Sequence, residues 1–227
     1  MSNSFLEPIA RITQNHVWMG IVLLGVLLIL AVVRWIYPAY LQRIGRAYIS
    51  MYEVSRFTIE KSIRSQRVTL LMILIHLCTV SLFVVFHYQY VENVQSTKTD
   101  PVLLYIWVWT VYGALMMLRL GIIGGLGRQL HLFEAARQLN QLFLISVQFT
   151  GMVLLTLMII LIFVLPVMQK WIIHIINGCI IAGMLYHTFR EWKVLRQYHF
   201  SLLHRFLYLC AFEIFPVWWI VKTILKG

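Results

Sequence analysis

Residues 142–171 read LFLISVQFTGMVLLTLMIILIFVLPVMQKW, which is one complete apolar run, a short loop and the start of a second run. A helix needs roughly 20 mainly apolar residues to cross about 30 Å of hydrocarbon, and the first run is long enough. Pro166 ends this run because proline cannot continue a helix. The loop Pro166–Lys170 is so short that the two runs must form an antiparallel pair of membrane-spanning helices.

The composition of the whole chain agrees with a membrane protein. The 227 residues are 61% hydrophobic and 12% charged, whereas soluble domains average about 45–50% apolar and about 25% charged residues. No linker, low-complexity tract or internal repeat divides the sequence. The chain is therefore predicted to be an all-α, polytopic membrane helix bundle that forms a single integral membrane domain over residues 1–227.

Six runs have the length and apolar character of transmembrane helices. The predicted spans are Val17–Tyr37, Val68–Tyr88, Val102–Ile123, Leu142–Leu165, Trp171–Phe189 and Leu202–Leu225. The third is expected to end at a glycine cluster, and a separate short amphipathic helix over Gly127–Phe143 is expected before the fourth. A cytoplasmic amphipathic helix over about residues 40–67 is predicted between the first two spans.

The lysines and arginines near the span ends give the predicted orientation. Most of them fall in the loops on one side, which include the loop between spans one and two and the loop between spans five and six. Cytoplasmic loops carry the excess of basic residues in membrane proteins. We therefore expect a multi-pass protein of a bacterial inner (cytoplasmic) membrane, with both termini in the periplasm.

The basic segment at about 40–67 has apolar residues at three- and four-residue steps, which is the period of one helix face. Its cations are expected to contact anionic lipid headgroups. These cations are Arg43, Arg46, Arg56, Lys61, Arg64 and Arg67. Two alternatives are docking against the protein's own loops and docking against a partner protein. Nucleic-acid binding is not expected, because the basic residues follow the membrane topology and no recognition motif accompanies them.

Glu213 is an acid inside the apolar run of the sixth predicted span, three residues before Pro216. A charged side chain at the centre of a membrane helix costs roughly 2.5–3.5 kcal/mol, so it usually faces a partner or a cavity. Pro216 is expected to kink the helix beside the acid. Two roles are open: a structural anchor to a neighbouring span, which we favour, or a proton-carrying group. The expected contacts of Glu213 are Arg119 or His76.

A polar stripe precedes Glu213 on the same predicted helix. His204 and Tyr208 are four residues apart and share a face, and Arg205 lies eight residues before Glu213, near one face with it. This stripe is a candidate path from the cytoplasmic interface towards the acid. The alternative role is ordinary helix capping and contact with lipid headgroups.

The sequence contains little that indicates a cofactor or catalytic residues. His87 and His174 lie at matched depth on two predicted spans, so a haem held between them is one hypothesis, although no haem-attachment motif is present. No metal site is expected, and the phosphate-binding and serine-nucleophile motifs of known enzyme classes are absent from the sequence. No catalytic residue and no cofactor is therefore predicted.

The C-terminal segment FSLLHRFLYLCAFEIFPVWWIVKTIL, Phe200–Leu225, resembles the signature of an uncharacterised family of small polytopic inner-membrane proteins of Bacteroidota. That signature, LYLCAxEIxP, is matched at Leu207, Tyr208, Cys210, Glu213 and Pro216. The overall length and the basic segment before the second span are also similar. The resemblance implies an inner-membrane location and supplies no activity.

We expect a protein that is not an enzyme. The leading hypothesis is a subunit or accessory factor of a larger cell-envelope complex for transport, secretion or assembly, with other membrane proteins as partners. The alternative is a small proton-coupled transporter that uses Glu213. A third hypothesis is a haem- or lipid-linked membrane enzyme, whose site would have to lie within the membrane.

Overall fold

The protein is described by a computed structural model over residues 7–54, 63–92, 100–129, 132–163 and 166–198. These residues form six helices with defined ends, and residues 51–54 are also helical. The helices are α1 (Glu7–Ile36), α2 (Pro38–Ile49), α3 (Ile63–Glu92), α4 (Pro101–Gln129), α5 (Phe133–Phe163) and α6 (Pro166–Gln197). No strand occurs in the ranges given above, so the all-α class is confirmed for this part of the chain.

Five of these helices are long and apolar enough to cross a membrane. They are α1, α3, α4, α5 and α6, in the same order as the first five predicted spans. Large apolar side chains are exposed on their outer faces, including Ile21, Leu24 and Leu103. An apolar surface of this kind is suited to contact with lipid chains. The five helices therefore indicate a membrane protein. The sixth predicted span, Leu202–Leu225, lies outside the described residues.

All five long helices extend beyond the predicted spans at one end or both. The predicted loop Pro166–Lys170 is wrong, because α6 begins at Pro166, where proline is tolerated as the first helical residue. Two further helix ends also differ from the prediction. The span expected to end near Ile123 continues as α4 to Gln129, through all the glycines of the cluster. The amphipathic helix expected before the fourth span is continuous with that span and forms the 31-residue α5. Glycine costs a helix only about 1 kcal/mol relative to alanine, whereas an unsatisfied backbone group in a membrane costs several. A helix that continues through the glycines therefore has a lower free energy than one that ends there.

The helix predicted over about 40–67 is interrupted. α2 ends at Ile49, and Ser50 has an extended backbone with φ −106° and ψ 124°. The start of α2 is set by Pro38, which is tolerated in the first turn because its missing N–H has no helical partner there. Ile44 and Ala47 of α2 are buried against the bundle, so one face of this helix docks on the protein itself.

α5 is the central helix of the described bundle. It packs against α2, α3, α4 and α6, and its most extensive contact is with α3. Gly151 of α5 allows this close contact, since a Cβ added there would lie 2.9 Å from the Cβ and 3.0 Å from the Cα of His76 on α3. The side chains that α5 buries include Leu142, Leu155 and Met158. α4 and α6 therefore both lie on α5, and the polar residues that they direct towards it meet there.

Candidate functional site

The strongest concentration of buried polar side chains joins α4, α5 and α6. α4 contributes Arg119, α5 contributes Ser146, and α6 contributes His187 and Glu191. His187 and Glu191 are four residues apart on a continuous helix, so they share a face. All four side chains are buried. Charged side chains buried among membrane helices raise the free energy of the fold unless they are paired. The distances between these four residues show how they are paired.

Arg119 and Glu191 form a short ion pair. The distance from the Arg119 guanidinium nitrogen NH2 to Glu191 Oε1 is 2.6 Å, and the two side chains are 10% and 0% exposed. Hydrogen bonds between ionised partners are shorter and stronger than neutral ones. The guanidinium carbon also lies 3.9 Å from the centroid of the Phe143 ring, in cation–π geometry. The arginine is therefore held by an acid from α6 and by an aromatic face from α5.

His187 links the ion pair to α5. Its Nε2 is 3.2 Å from Glu191 Oε1, and its Nδ1 is 2.9 Å from Ser146 Oγ. With a proton on Nε2 the imidazole donates to the Glu191 carboxylate, and its Nδ1 is within hydrogen-bond distance of the Ser146 hydroxyl. The four residues then form one hydrogen-bonded cluster, which we call the α4–α6 clasp.

A second buried cation holds the end of α2. Arg190 donates from its guanidinium to the backbone carbonyl oxygens of Tyr48 at 2.5 Å and Ala47 at 2.9 Å. The Tyr186 hydroxyl donates to the Tyr48 oxygen at 3.1 Å. The last carbonyls of a helix have no helical partner and carry partial negative charge, so a cation there is favourable. Arg190 thus caps a helix far from it in the sequence.

Tyr40 ties the start of α2 to α3 and α5. Its hydroxyl lies 2.8 Å from Thr69 Oγ1 and donates to Gln148 Oε1 at 3.3 Å. Burial raises the pKa of the Tyr40 hydroxyl, while the hydrogen bonds to Thr69 and Gln148 act in the opposite direction. The phenol therefore stays protonated at neutral pH, as a donor must.

We expect Tyr40→Phe to destabilise the protein by about 1–2 kcal/mol, because it removes two buried hydrogen bonds worth about 0.5–1.5 kcal/mol each. Thr69→Val should cost less, and the double variant should cost little more than Tyr40→Phe alone, since both changes remove the same bond. Denaturation in mixed detergent micelles, followed by circular dichroism, measures the three values. Strict additivity of the two single effects would contradict a direct Tyr40–Thr69 hydrogen bond.

A family model described as Domain of unknown function (DUF4271) matches residues 19–224. The chain belongs to this family. No curated protein and no solved structure matches it. The DUF4271 assignment agrees with the resemblance to an uncharacterised family, while the Bacteroidota range and the LYLCAxEIxP signature stay predictions.

The structure places two of the predicted polar residues of this DUF4271 chain in contacts that the sequence did not indicate. Arg119 pairs with Glu191, and His76 Nε2 is 2.9 Å from the Tyr112 hydroxyl of α4. The other members of the predicted intramembrane set are Glu213, Pro216, His204, Arg205 and Tyr208, and they lie outside the described residues. The predicted contacts of Glu213 with Arg119 or His76 therefore stay predictions.

Three residues of the cluster in this DUF4271 chain were not predicted as site residues from the sequence: Glu191, His187 and Ser146. Span five was predicted to end at Phe189, so Glu191 was placed outside the membrane helix, whereas α6 continues to Gln197. The i,i+4 pair of His187 and Glu191 was the available signal, because it lies on the extension of an apolar helix. Ser146 carries no such signal, since a lone serine in an apolar run is common.

The basic residues expected at lipid headgroups are only partly described in this DUF4271 structure. Arg43 and Arg46 lie on α2, and Arg46 and Arg67 are exposed. Arg64 lies in the first turn of α3. Arg56 and Lys61 fall outside the described residues. Contact with headgroups stays a prediction.

The two histidines of the haem hypothesis lie on different helices, His87 on α3 and His174 on α6. The Asn177 amide of α6 lies 3.3 Å from His87 Nε2. A haem iron bound at this nitrogen would displace that contact. Within the described helices, no group of three or more His, Cys, Asp or Glu side chains is positioned to hold a metal ion. The haem hypothesis stays a prediction.

Proposed function

We propose that the protein is a non-catalytic subunit or accessory factor of a cell-envelope complex in a bacterial inner membrane. In this proposal both termini are periplasmic, and the exposed arginines near α2 face the anionic headgroups of the cytoplasmic leaflet. Membership of a family with no assigned activity is compatible with this role. The support comes from the contacts of the buried charges and from a helix that is largely exposed in the described part of the bundle.

The buried charges of the described residues hold helices together. Arg119 and Glu191 join α4 to α6, and Arg190 joins α6 to the end of α2. Each of these contacts is between two parts of the same chain, and each is buried. A catalytic acid or base must reach a substrate. A structural role for these charges fits their geometry better, and it favours a non-enzymatic protein.

The observation that carries the proposal is the exposed face of α4 in the described part of the chain. In its most apolar stretch, 6% of the residues are buried, compared with 17% for α6, 22% for α1 and 61% for α3. Four exposed residues on one side of α4 are small: Thr110, Ala114, Gly121 and Gly125. Their spacings of four and seven residues place them on this side of the helix. Larger exposed side chains lie among them on the same side, including Trp107 and Met117.

Small residues on this face fit another helix better than they fit lipid. Among the residues that the structure describes, nothing lies within 4 Å of a Cβ built at Gly121 or Gly125, so neither glycine is needed for packing within this part of the chain. Membrane helices associate through small residues because these let two backbones approach closely. Thr110, Ala114 and Met117 also line an apolar cavity of about 230 Å³ between α3 and α4. A transmembrane helix of a partner would pack against the small residues of α4, and one of its apolar side chains would occupy the cavity.

The double variant Gly121→Leu/Gly125→Leu is expected to lose its partner. The full-length tagged chain is purified from its own membranes in mild detergent, and stoichiometric partners are quantified by mass spectrometry. A steric cost of about 1–3 kcal/mol at the contact corresponds to roughly a five- to 150-fold loss of binding. Gly25→Leu on α1 is the matched control, because this glycine is also exposed and has nothing within 4 Å of its Cβ position.

Three outcomes would contradict the proposal. One is recovery of the wild-type chain without any stoichiometric membrane protein. Another is a partner that the α4 variant retains as well as the Gly25→Leu control does. The third is a homodimer, with no other protein bound, that the α4 variant dissociates, because α4 would then pair two copies of this chain.

A further inference from the structure

Two adjacent residues of α6 carry opposite charges and are both buried. Arg190 is 2% exposed and Glu191 is 0% exposed. Neighbouring residues of a helix point in directions about 100° apart, so these side chains reach different helices. Arg190 reaches the C-terminal carbonyls of α2, and Glu191 reaches Arg119 of α4. α6 is therefore fixed from two sides.

The contact with α2 has several parts. The Arg190 guanidinium binds the carbonyl oxygens of Ala47 and Tyr48 and lies 3.4 Å from the Met51 sulfur. The Tyr48 ring stacks on Phe149 of α5, with 4.0 Å between the ring centroids. Arg190 therefore holds the last turn of α2 at a fixed position on the bundle.

The contact with α4 depends on the clasp. α4 and α6 each pack against α5, and they make little backbone contact with each other. The ion pair of Arg119 and Glu191, with His187 beside it, bridges them across the surface of α5. The position of α4 relative to α6 is thus set largely by side chains.

These two contacts cannot change independently. An α-helix with its side chains is about 10–12 Å across, so rotating α6 by about 20° would move a side chain at its surface by about 2 Å. Hydrogen bonds of 2.5–2.9 Å at Arg190 and of 2.6 Å at Glu191 would not survive such a movement. A rotation that releases α2 therefore strains the contact with α4, and the reverse also holds.

We infer that α6 couples the position of α2 to that of α4 through the adjacent pair Arg190 and Glu191. A displacement of α2 is transmitted as a rotation of α6 to Arg119 and so to α4. This inference goes beyond the proposed function, because it concerns movement inside the chain and holds whether or not a partner binds α4. Its physical basis is a single rigid helix, α6, whose orientation depends on two separate contacts.

Distances between spin labels test the coupling. The full-length chain carries a label at Gln42 on α2 or at Leu126 on α4, each paired with a label at Ile160 on α5, after its native cysteines are replaced by alanine. Gln42, Leu126 and Ile160 are exposed and lie outside the two contacts. Pulsed electron paramagnetic resonance reports the α2–α5 and α4–α5 distances separately.

Glu191→Gln is expected to shift or broaden the α2–α5 distance as well as the α4–α5 distance. Arg190→Gln is expected to change the α4–α5 distance as well as the α2–α5 distance. Shifts of about 1–2 Å are typical of packed helices that change position. Lys193→Gln is the matched control on the same helix, because the Lys193 nitrogen lies 4.6 Å over the ring of Phe189 in its own helix and should leave both distances unchanged.

Coupling is excluded if each variant changes only the distance of the helix that it contacts, or if neither variant changes any distance. Should Arg190→Gln fail to fold, Arg190→Lys replaces it, because lysine keeps the charge and lacks the planar fork that binds two carbonyls at once. Arg190→Lys is then expected to change both distances. The outcome is separate from partner binding, which is measured on the outer face of α4.

Discussion

Replacing Glu191 with leucine is expected to destabilise the protein by about 3–5 kcal/mol, which is the usual cost of removing one member of a buried ion pair. The variant leaves the positive Arg119 buried between α4, α5 and α6, and it also removes the hydrogen-bond acceptor of His187. The free energy of unfolding in mixed detergent micelles, followed by circular dichroism, measures the loss.

A second variant separates the loss of an attraction from the effect of leaving one charge of the pair buried. Arg119→Met/Glu191→Leu removes both charges, and a methionine sulfur packs well on an aromatic ring such as Phe143. Replacing a buried ion pair by apolar residues is often neutral or stabilising. We therefore expect the double variant to recover most of the stability that Glu191→Leu loses. A double variant as unstable as the sum of both single variants would contradict this account of the clasp.

Replacing Gly151 with leucine is expected to separate α3 from α5 and to prevent the native bundle from forming. The Cβ of any side chain at this position would lie 2.9–3.0 Å from the Cβ and Cα of His76, and backbone cannot move aside as the end of a side chain can. Gly151→Ala adds only that one atom, and overpacking of this kind costs about 1–3 kcal/mol. Thermal unfolding in mild detergent, monitored by tryptophan fluorescence, ranks the variants.

Gly178→Ala on α6 is the matched control for Gly151→Ala. It makes the same chemical change within a helix, but nothing lies within 4 Å of the Cβ that it adds. Alanine is favoured over glycine in a helix by about 1 kcal/mol, so this variant should be as stable as the wild type or more stable. The same sign of effect for both variants would show that helix propensity, and not the contact with His76, decides the stability at Gly151.

Much of the fold could be predicted from the sequence because membrane helices follow from the length of apolar runs. Five of the predicted spans correspond in order to α1, α3, α4, α5 and α6. The ends of these helices were less predictable. The cluster of glycines in α4 and the charged residues near the end of α6 resemble signals for a helix end, although the helices continue through both. Local composition is a weak guide once backbone groups must be satisfied within the helix.

The candidate site could be predicted only in part. Arg119 stood out as a cation within an apolar run, and a buried acid was expected as its partner. The acid described by the structure is Glu191, 72 residues away in sequence. Likewise, the sequence indicated that α2 has an apolar face and left open what that face contacts. Tyr40 and Arg190 decide this through long-range contacts that sequence periodicity does not encode.

The central position of α5 has a consequence for how the chain is made. Helices enter a membrane in sequence order during synthesis, so α3 is inserted before α5, its main packing partner. Until α5 follows, His76 of α3 has no Gly151 to pack against, and until α6 follows, Arg119 has no Glu191. An early chain therefore holds Arg119 without the carboxylate of Glu191. The contact between Arg119 and Glu191 can form only after α6 has been inserted.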